Sequence, residues 1–243
     1  MEPALIQQRL ERVQRKSSDR RTTLEALFQE TGCSDLVAQK VRGSKEPNVI
    51  CTEEGDGPGV IVVGGHFDAD DHGMGAVDDW SGVSLLPSLY QSLQSKPRRH
   101  RFIFVGFSAE EVGLRGSSTY VQHLSKEDRG LVRAMVNLEC LGLTSPKVWA
   151  GRADKGLLDA YLRVANALHL PKEGVNVDKV GDDDSHPFLN AKVLVITFHS
   201  VTQETLALLH SPRDQLQAIH PDYYYDAYRL VAVYLAYLDS TLP

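Results

Sequence analysis

A chain of 243 residues with 42% apolar side chains can bury a substantial core. Its formal net charge of −6 offers no basic surface for nucleic acid, and no apolar run approaches the roughly 18 residues of a membrane span, so neither nucleic acid nor a bilayer is an expected partner. No Pro/Gly/Ser-rich linker, charge block or fixed-period repeat divides the sequence, so residues 1–243 are expected to form one domain, with a helical region at 1–45 packed on its core.

In chain order, residues 1–21 carry Arg12, Arg15, Lys16, Arg20 and Arg21 without an apolar h-region, so this stretch does not read as a signal peptide. Cys33, Cys51 and Cys140 are an odd number without Cys-x-x-Cys spacing. We therefore expect reduced, mostly buried thiols and a cytoplasmic protein, with a Cys33–Cys51 bridge as the alternative for an exported one. Residues 5–29 are expected to form one or two amphipathic helices. Runs rich in β-branched and aromatic residues predict strands at 49–51, 60–63, 102–107, 132–138, 147–150 and 193–198. Between them, Asp79 is a plausible cap for a helix with Val83, Leu86, Tyr90 and Leu93 on one face and Pro87 kinking it. Further helices are expected at 116–124 and 154–169. The last helix is the clearest, since Ala227, Leu230, Val231, Tyr234, Leu235 and Leu238 follow the i, i+3, i+4, i+7 rule. Strands alternating with helices imply an α/β protein whose sheet is largely parallel and covered on both faces.

The residues just past the strand ends point to function. The run 60–65 ends in His66-Phe67-Asp68, with Asp78 ten residues beyond Asp68; 102–107 is followed by Glu110-Glu111; 132–138 ends in Glu139; and 193–198 leads to His210. Ligand sites of open α/β sheets lie outside the carboxyl ends of their strands. Carboxylates and imidazoles from four strand ends would therefore converge on one crevice and could hold a metal, imidazole being the commonest neutral ligand. Each piece alone has a plainer explanation. Adjacent glutamates often start a solvated helix, and the Asp182-Asp183-Asp184 run is most simply a solvated loop. His72, His100, His123, His169 and His220 are expected to be exposed and without a role. Glu139 after an apolar strand differs, because burying it unpaired would be costly.

Gly65-His66-Phe67-Asp68, Gly75-Ala76-Val77-Asp78-Asp79-Trp80-Ser81-Gly82, Glu110-Glu111-Val112-Gly113-Leu114-Arg115-Gly116-Ser117, Asn137-Leu138-Glu139 and His210-Ser211-Pro212-Arg213-Asp214 together resemble the co-catalytic dizinc exopeptidases, which include bacterial aminopeptidases, glutamate carboxypeptidases and glutaminyl cyclases. The resemblance implies a three-layer α/β/α fold with a mixed, mostly parallel central sheet. It also implies a zinc-dependent exopeptidase, most simply an aminopeptidase acting on peptides. Two Zn²⁺ ions would share Asp78 and a bridging hydroxide. His66 and Glu139 would complete one ion, and Glu111 and His210 the other. Glu110 would be the general base, and Asp68 would orient His66.

The chain departs from the family pattern at three points. Glu139 stands where aspartate is common. Asp184-Ser185-His186 puts Ser185 at the usual position of a substrate-contacting histidine, so His186 takes over through a local shift or that contact is missing. Ser211 replaces a threonine. Other readings are a glutaminyl cyclase, a carboxypeptidase using Arg115, Arg152 or Arg213 for a terminal carboxylate, and a metal-stabilised binding domain that does not react. Asp70, Asp71 and the run Asp182 to Asp184 are the candidates for holding a substrate ammonium group.

Overall fold

Alternating strand and helix segments build a seven-stranded sheet between helices in the computed structural model, which describes residues 1–94, 97–176 and 181–243. Helices α1 (Pro3–Leu10) and α2 (Ser17–Glu30) come first, then strands β1 (Val37–Gln39), β2 (Asn48–Glu53) and β3 (Val60–His66). An irregular turn at Ala76–Trp80 leads into the short α3 (Ser81–Val83), α4 (Leu86–Leu93), β4 (Arg101–Phe107), α5 (Arg115–His123) and α6 (Lys126–Leu131). The remainder is β5 (Val132–Leu138), β6 (Lys147–Val148), α7 (Lys155–Ala167), α8 (Ser185–Asn190), β7 (Val195–His199) and α9 (Pro221–Thr241).

The strand order is β1-β2-β4-β3-β5-β7-β6. The four central strands are parallel, while β1 and β2 on one side and β6 on the other run antiparallel to their neighbours. β3 and β7 are buried along their whole length, as strands covered on both faces must be. Alternation sorts the side chains. Ile61, Val63, Phe104, Ala134, Val136, Ile196 and Phe198 face a large core that also takes in Leu10, Leu24, Phe28, Leu89, Tyr161, Leu235 and Leu238 from the helices. Val62, Val105, Phe107, Met135 and Val195 face a smaller one with Tyr120, Val121 and Phe188. Among the described residues, no helix is long and apolar enough to cross a membrane.

Three expectations about the elements change. The helix expected after Asp79 is split into α3 and α4, and Pro87 lies in the first turn of α4, where its missing N–H breaks no helical bond. Strand 147–150 shortens to two residues: the ladder with β7 pairs Lys147 and Val148, and beyond it Trp149 adds a single N–H bond to Thr197 O at 3.0 Å. The edge strand β1, three residues long, falls outside the expected strands; it is held by pairing with β2.

Two expectations about single residues are corrected. His100 is 2% exposed, with Nδ1 3.1 Å from Asp239 Oδ1 on α9. Cys33 and Cys51 are joined in a disulfide that ties the end of α2 to β2 across a sequence separation of 18, and only Cys140 is a free, buried thiol. By the loop-closure argument, a link over that span contributes about 3 kcal/mol.

Candidate functional site

Parallel pairing brings the carboxyl ends of β4, β3, β5 and β7 to one edge of the sheet, and the anticipated side chains meet there. His66 is the last residue of β3 and Glu139 follows β5 directly. The chain leaves β4 through Ala109, at φ 57°, into Glu110 and Glu111. His210 lies in the loop beyond β7, with 56% of its side chain exposed. Asp78 sits in the irregular turn between β3 and α3.

Two histidine–carboxylate sets share Asp78. His66 Nε2 is 3.1 Å from Asp78 Oδ1 and 3.3 Å from Glu139 Oε1. His210 Nε2 is 3.1 Å from Asp78 Oδ2 and 3.1 Å from Glu111 Oε2. Two ligands on a tetrahedral zinc, each at about 2.0–2.1 Å, stand roughly 3.3 Å apart, so each of these histidine–carboxylate spacings matches that of two ligands on one ion. His66, Asp78 and Glu111 also offer ligand atoms all within 4.8 Å of one another, as do Asp78, Glu139 and Cys140. Asp79 meets the same distance test beside His66 and Glu139. Its carboxylate is already taken, accepting N–H bonds from His66, Gly82 and Cys140 at 3.2, 3.0 and 2.9 Å. It ties β3 to β5 rather than facing an ion. Glycine is needed at 82 to admit it, since a Cβ there would lie 2.5 Å from Asp79 Oδ1.

Glu110 stands apart from both sets, with Oε2 3.8 Å from His66 Nε2. Asp68 positions the two glutamates, accepting the Glu110 N–H on Oδ1 (3.0 Å) and the Glu111 N–H on Oδ2 (3.2 Å). Asp68 also lies against His66 Nδ1, with its backbone carbonyl at 3.2 Å and its carboxylate at 3.7 Å. Asp214 holds the bridging position from below, accepting from Val77 N–H at 2.7 Å and Asp78 N–H at 3.2 Å. Asn137 donates to Glu139 Oε2 at 3.3 Å.

These groups line a cavity of about 540 Å³. Its floor is Asp78, Glu110, Glu111, Glu139 and His210; its walls include Cys140, Trp149, Asp183, His199, Val201, Leu206 and Leu209. Ser185 and His186 are not on the wall. Ser185 is buried, its hydroxyl 2.5 Å from Asp183 Oδ1, and His186 turns outward to pair with Asp182. Asp183 and Asp184 are not a solvated loop: they are 1% and 0% exposed, because Asp183 accepts a bond from Thr197 on β7 at 2.6 Å. The imidazole that does reach the wall is His199, which sequence reasoning missed although it ends a strand just as His66 does. Burial drops its pKa to about 4, so it is neutral.

The three arginines considered for a terminal carboxylate are all engaged. Arg152 binds Asp182 (2.5 Å) and Asp183 (3.2 Å) and stacks on Trp149. Arg115 donates to Gly43 O and Arg213 to Ala207 O.

So many acids in one buried place perturb each other. Burial, reinforced by Asp184, Glu139 and Asp78 and opposed by His66, pushes Glu110 up to about 10. Burial and the Asp78 charge bring Glu111 to about 7. Its bond to Asp78 raises His210 to about 9 against a burial penalty. Burial disfavours the ionised form of Asp78, but hydrogen bonds from His210 and His66 outweigh it and hold its carboxyl below the usual range. Without metal, protons thus occupy the positions that a cation would compete for. Folded pKa values above the unfolded ones mean that the stability from Glu111 and His210 is fully present below about 4.5 and 6.5, and is lost as pH rises through about 7 and 9. The Tm of metal-free protein is therefore expected to fall from pH 5 to pH 9, while zinc binding tightens because it must displace those protons. A metal-free Tm that climbs over that window would contradict these protonation states.

The comparisons with known proteins come to the same place. The profile described as Peptidase family M28 matches residues 48–235. Aminopeptidase YwaD of Bacillus subtilis is 29% identical over 230 residues, covering 90% of this chain and 49% of that protein. The chain thus spans about half the length of this curated relative. Among solved structures, a zinc aminopeptidase from Bacillus subtilis superposes with a TM-score of 0.71 at 27% identity, over 79% of this chain and 50% of that one. Porphyromonas gingivalis glutaminyl cyclase gives 0.75 at 19% identity over 96% of each chain, a likeness of fold.

Proposed function

The chain belongs to peptidase family M28, and from this we propose that it is a zinc-dependent aminopeptidase that hydrolyses the N-terminal bond of peptides at the floor of the cavity. The observation that carries the reading is the shared Asp78: one imidazole and one further carboxylate flank each of its oxygens, and Glu110 stands outside both sets. His66, Asp78 and Glu139 would hold one zinc, and His210, Asp78 and Glu111 the other. Zinc so bound supplies Lewis acidity that polarises a substrate carbonyl and makes water acidic near neutral pH.

The remaining work falls to this chain's own groups. Glu110, fixed through its N–H by Asp68, takes the proton of the attacking water and returns it to the leaving amine. With two cations bound nearby, its carboxyl would come down from the high value that burial imposes, as it does beside opposite charges, and Glu110 would then accept a proton. Leu206, Leu209, Val201 and Trp149 give the cavity an apolar side that excludes water from the substrate's first side chain. Arg152 pairs with both Asp182 and Asp183, so these two carboxylates are already engaged beside the cavity. For location, the Cys33–Cys51 disulfide supports an oxidising compartment over the cytoplasm.

A panel of free-amine, N-blocked and N-terminal-glutamine peptides tests the reaction on zinc-loaded protein. We expect release of the first residue from free-amine peptides and none from their N-acetyl forms. Cleavage of blocked peptides from the carboxyl end, or cyclisation of the glutamine peptide with loss of ammonia and no hydrolysis, would reassign the activity.

A further inference from the structure

Residues 67–75 connect His66 to the turn that carries Asp78, and two arginines from the N-terminal region grip this stretch by its backbone. Arg20 in α2 is 0% exposed. It donates to the carbonyls of Phe67 (3.2 Å), Asp68 (3.4 Å) and Gly75 (2.8 Å), to that of Met74, and to Gln14 O at 2.6 Å. Arg15, exposed just before α2, donates to Gly73 O at 3.0 Å and Asp71 O at 2.9 Å. Room for the guanidinium is built in: Gly75 has φ 60°, and a Cβ there would lie 2.6 Å from Arg20 Nη2.

Burying a guanidinium costs several kcal/mol unless its hydrogen bonds are met, so the stretch it holds should have a reason to be held. Packing is a weak one, since Phe67 is its only fully core side chain. Its links to the metal-facing groups are stronger. The Asp68 carboxylate takes the N–H groups of Glu110 and Glu111, the Asp70 N–H donates to Glu111 Oε1 at 3.0 Å, and Met74 N–H donates to Asp214 O at 2.8 Å beside the turn that carries Asp78.

We infer that Arg20 and Arg15 are positioning residues for the metal pair, clamping the backbone of residues 67–75 so that Asp68, Asp78 and Glu111 keep the geometry that two ions require. The inference rests on the proposed metal pair. It is distinguishable from a purely electrostatic role by sign. A fixed positive charge beside the site repels cations, so its removal alone would tighten metal binding, whereas losing the clamp would weaken it.

The test measures zinc affinity by competition with a chromophoric chelator, well below the melting temperature, for wild type, Arg15→Met and Arg20→Lys. The Tm of each metal-free protein and its kcat and KM at saturating zinc are recorded alongside. Arg15→Met removes exposed contacts and remains informative if the Arg20 variant does not fold. Loss of an outer-shell partner typically costs 10–100-fold in metal affinity, and we expect roughly that for Arg15→Met. Arg20→Lys keeps the charge but not the fork, and is expected to lose at least as much. Wild-type zinc affinity in Arg15→Met with only a lower metal-free Tm would overturn the inference, as would tighter zinc binding in either variant. Wild-type protein that takes up no zinc would overturn the metal reading itself, and this inference with it.

Discussion

Glu110→Gln is expected to retain its zinc and to lose about 10²–10⁴-fold in kcat on a free-amine peptide. The amide matches the carboxylate in shape and leaves the backbone bond from Glu110 N–H to Asp68 intact. Metal should stay because Glu110 lies outside both ligand sets: its nearest approach to His66 is 3.8 Å, against 3.1 and 3.3 Å for Asp78 and Glu139. What the amide cannot do is accept a proton from water and return it to an amine. Its neighbour Glu111 cannot substitute, because its carboxylate already faces His210 and takes the Asp70 N–H. Metal content and kcat measured on the same preparation decide the matter, and a variant that holds zinc and still turns over at the wild-type rate would remove Glu110 from the proton path.

The second large effect is expected of Asp78→Asn. One carboxylate faces both imidazoles, with Oδ1 toward His66 and Oδ2 toward His210, each at 3.1 Å. An amide offers one oxygen and no charge, so both ligand sets are damaged by a single substitution. Zinc affinity should fall by more than the roughly 10–100-fold lost with an outer-shell partner, and peptidase activity should fall with it. Glu111→Ala should lose metal less completely, because the His66, Asp78 and Glu139 set is untouched. Elemental analysis after dialysis against a weak chelator reads both. Two tightly held zinc ions in Asp78→Asn would exclude a bridging role.

Much of this site was legible because several of its residues sit at or just past a strand end and strands announce themselves by composition. His66, Glu139 and the Glu110-Glu111 pair fall where β3, β5 and β4 stop, and in parallel strands those stops must share an edge. The cavity wall was less legible. Ser185 and His186 lie near the right place in sequence, yet Asp183 pulls Ser185 into a buried polar cluster and Asp182 draws His186 outward. The wall imidazole instead comes from His199, which belongs to the last strand of the parallel set. Arg20 looked like one basic residue among six near the amino terminus. Nothing local marks it for burial, because its partners in the 67–75 segment lie 47 to 55 residues away.

The sequence by itself determined the α/β alternation and the imidazole and carboxylate chemistry gathered past the strand ends. These stem from periodicity and from what imidazole and carboxylate can bind, and both are local properties. Only the tertiary structure decided that Asp68 accepts the N–H groups of both glutamates, that Asp79 is spent on three backbone N–H groups, that Cys33 meets Cys51, and that Arg15 and Arg20 grip the segment before Asp78. In each case a polar group has several neighbours in sequence that would satisfy it. Which one does is set by the packing of distant helices and strands, because a buried hydrogen-bonding group must take the partner that the fold delivers.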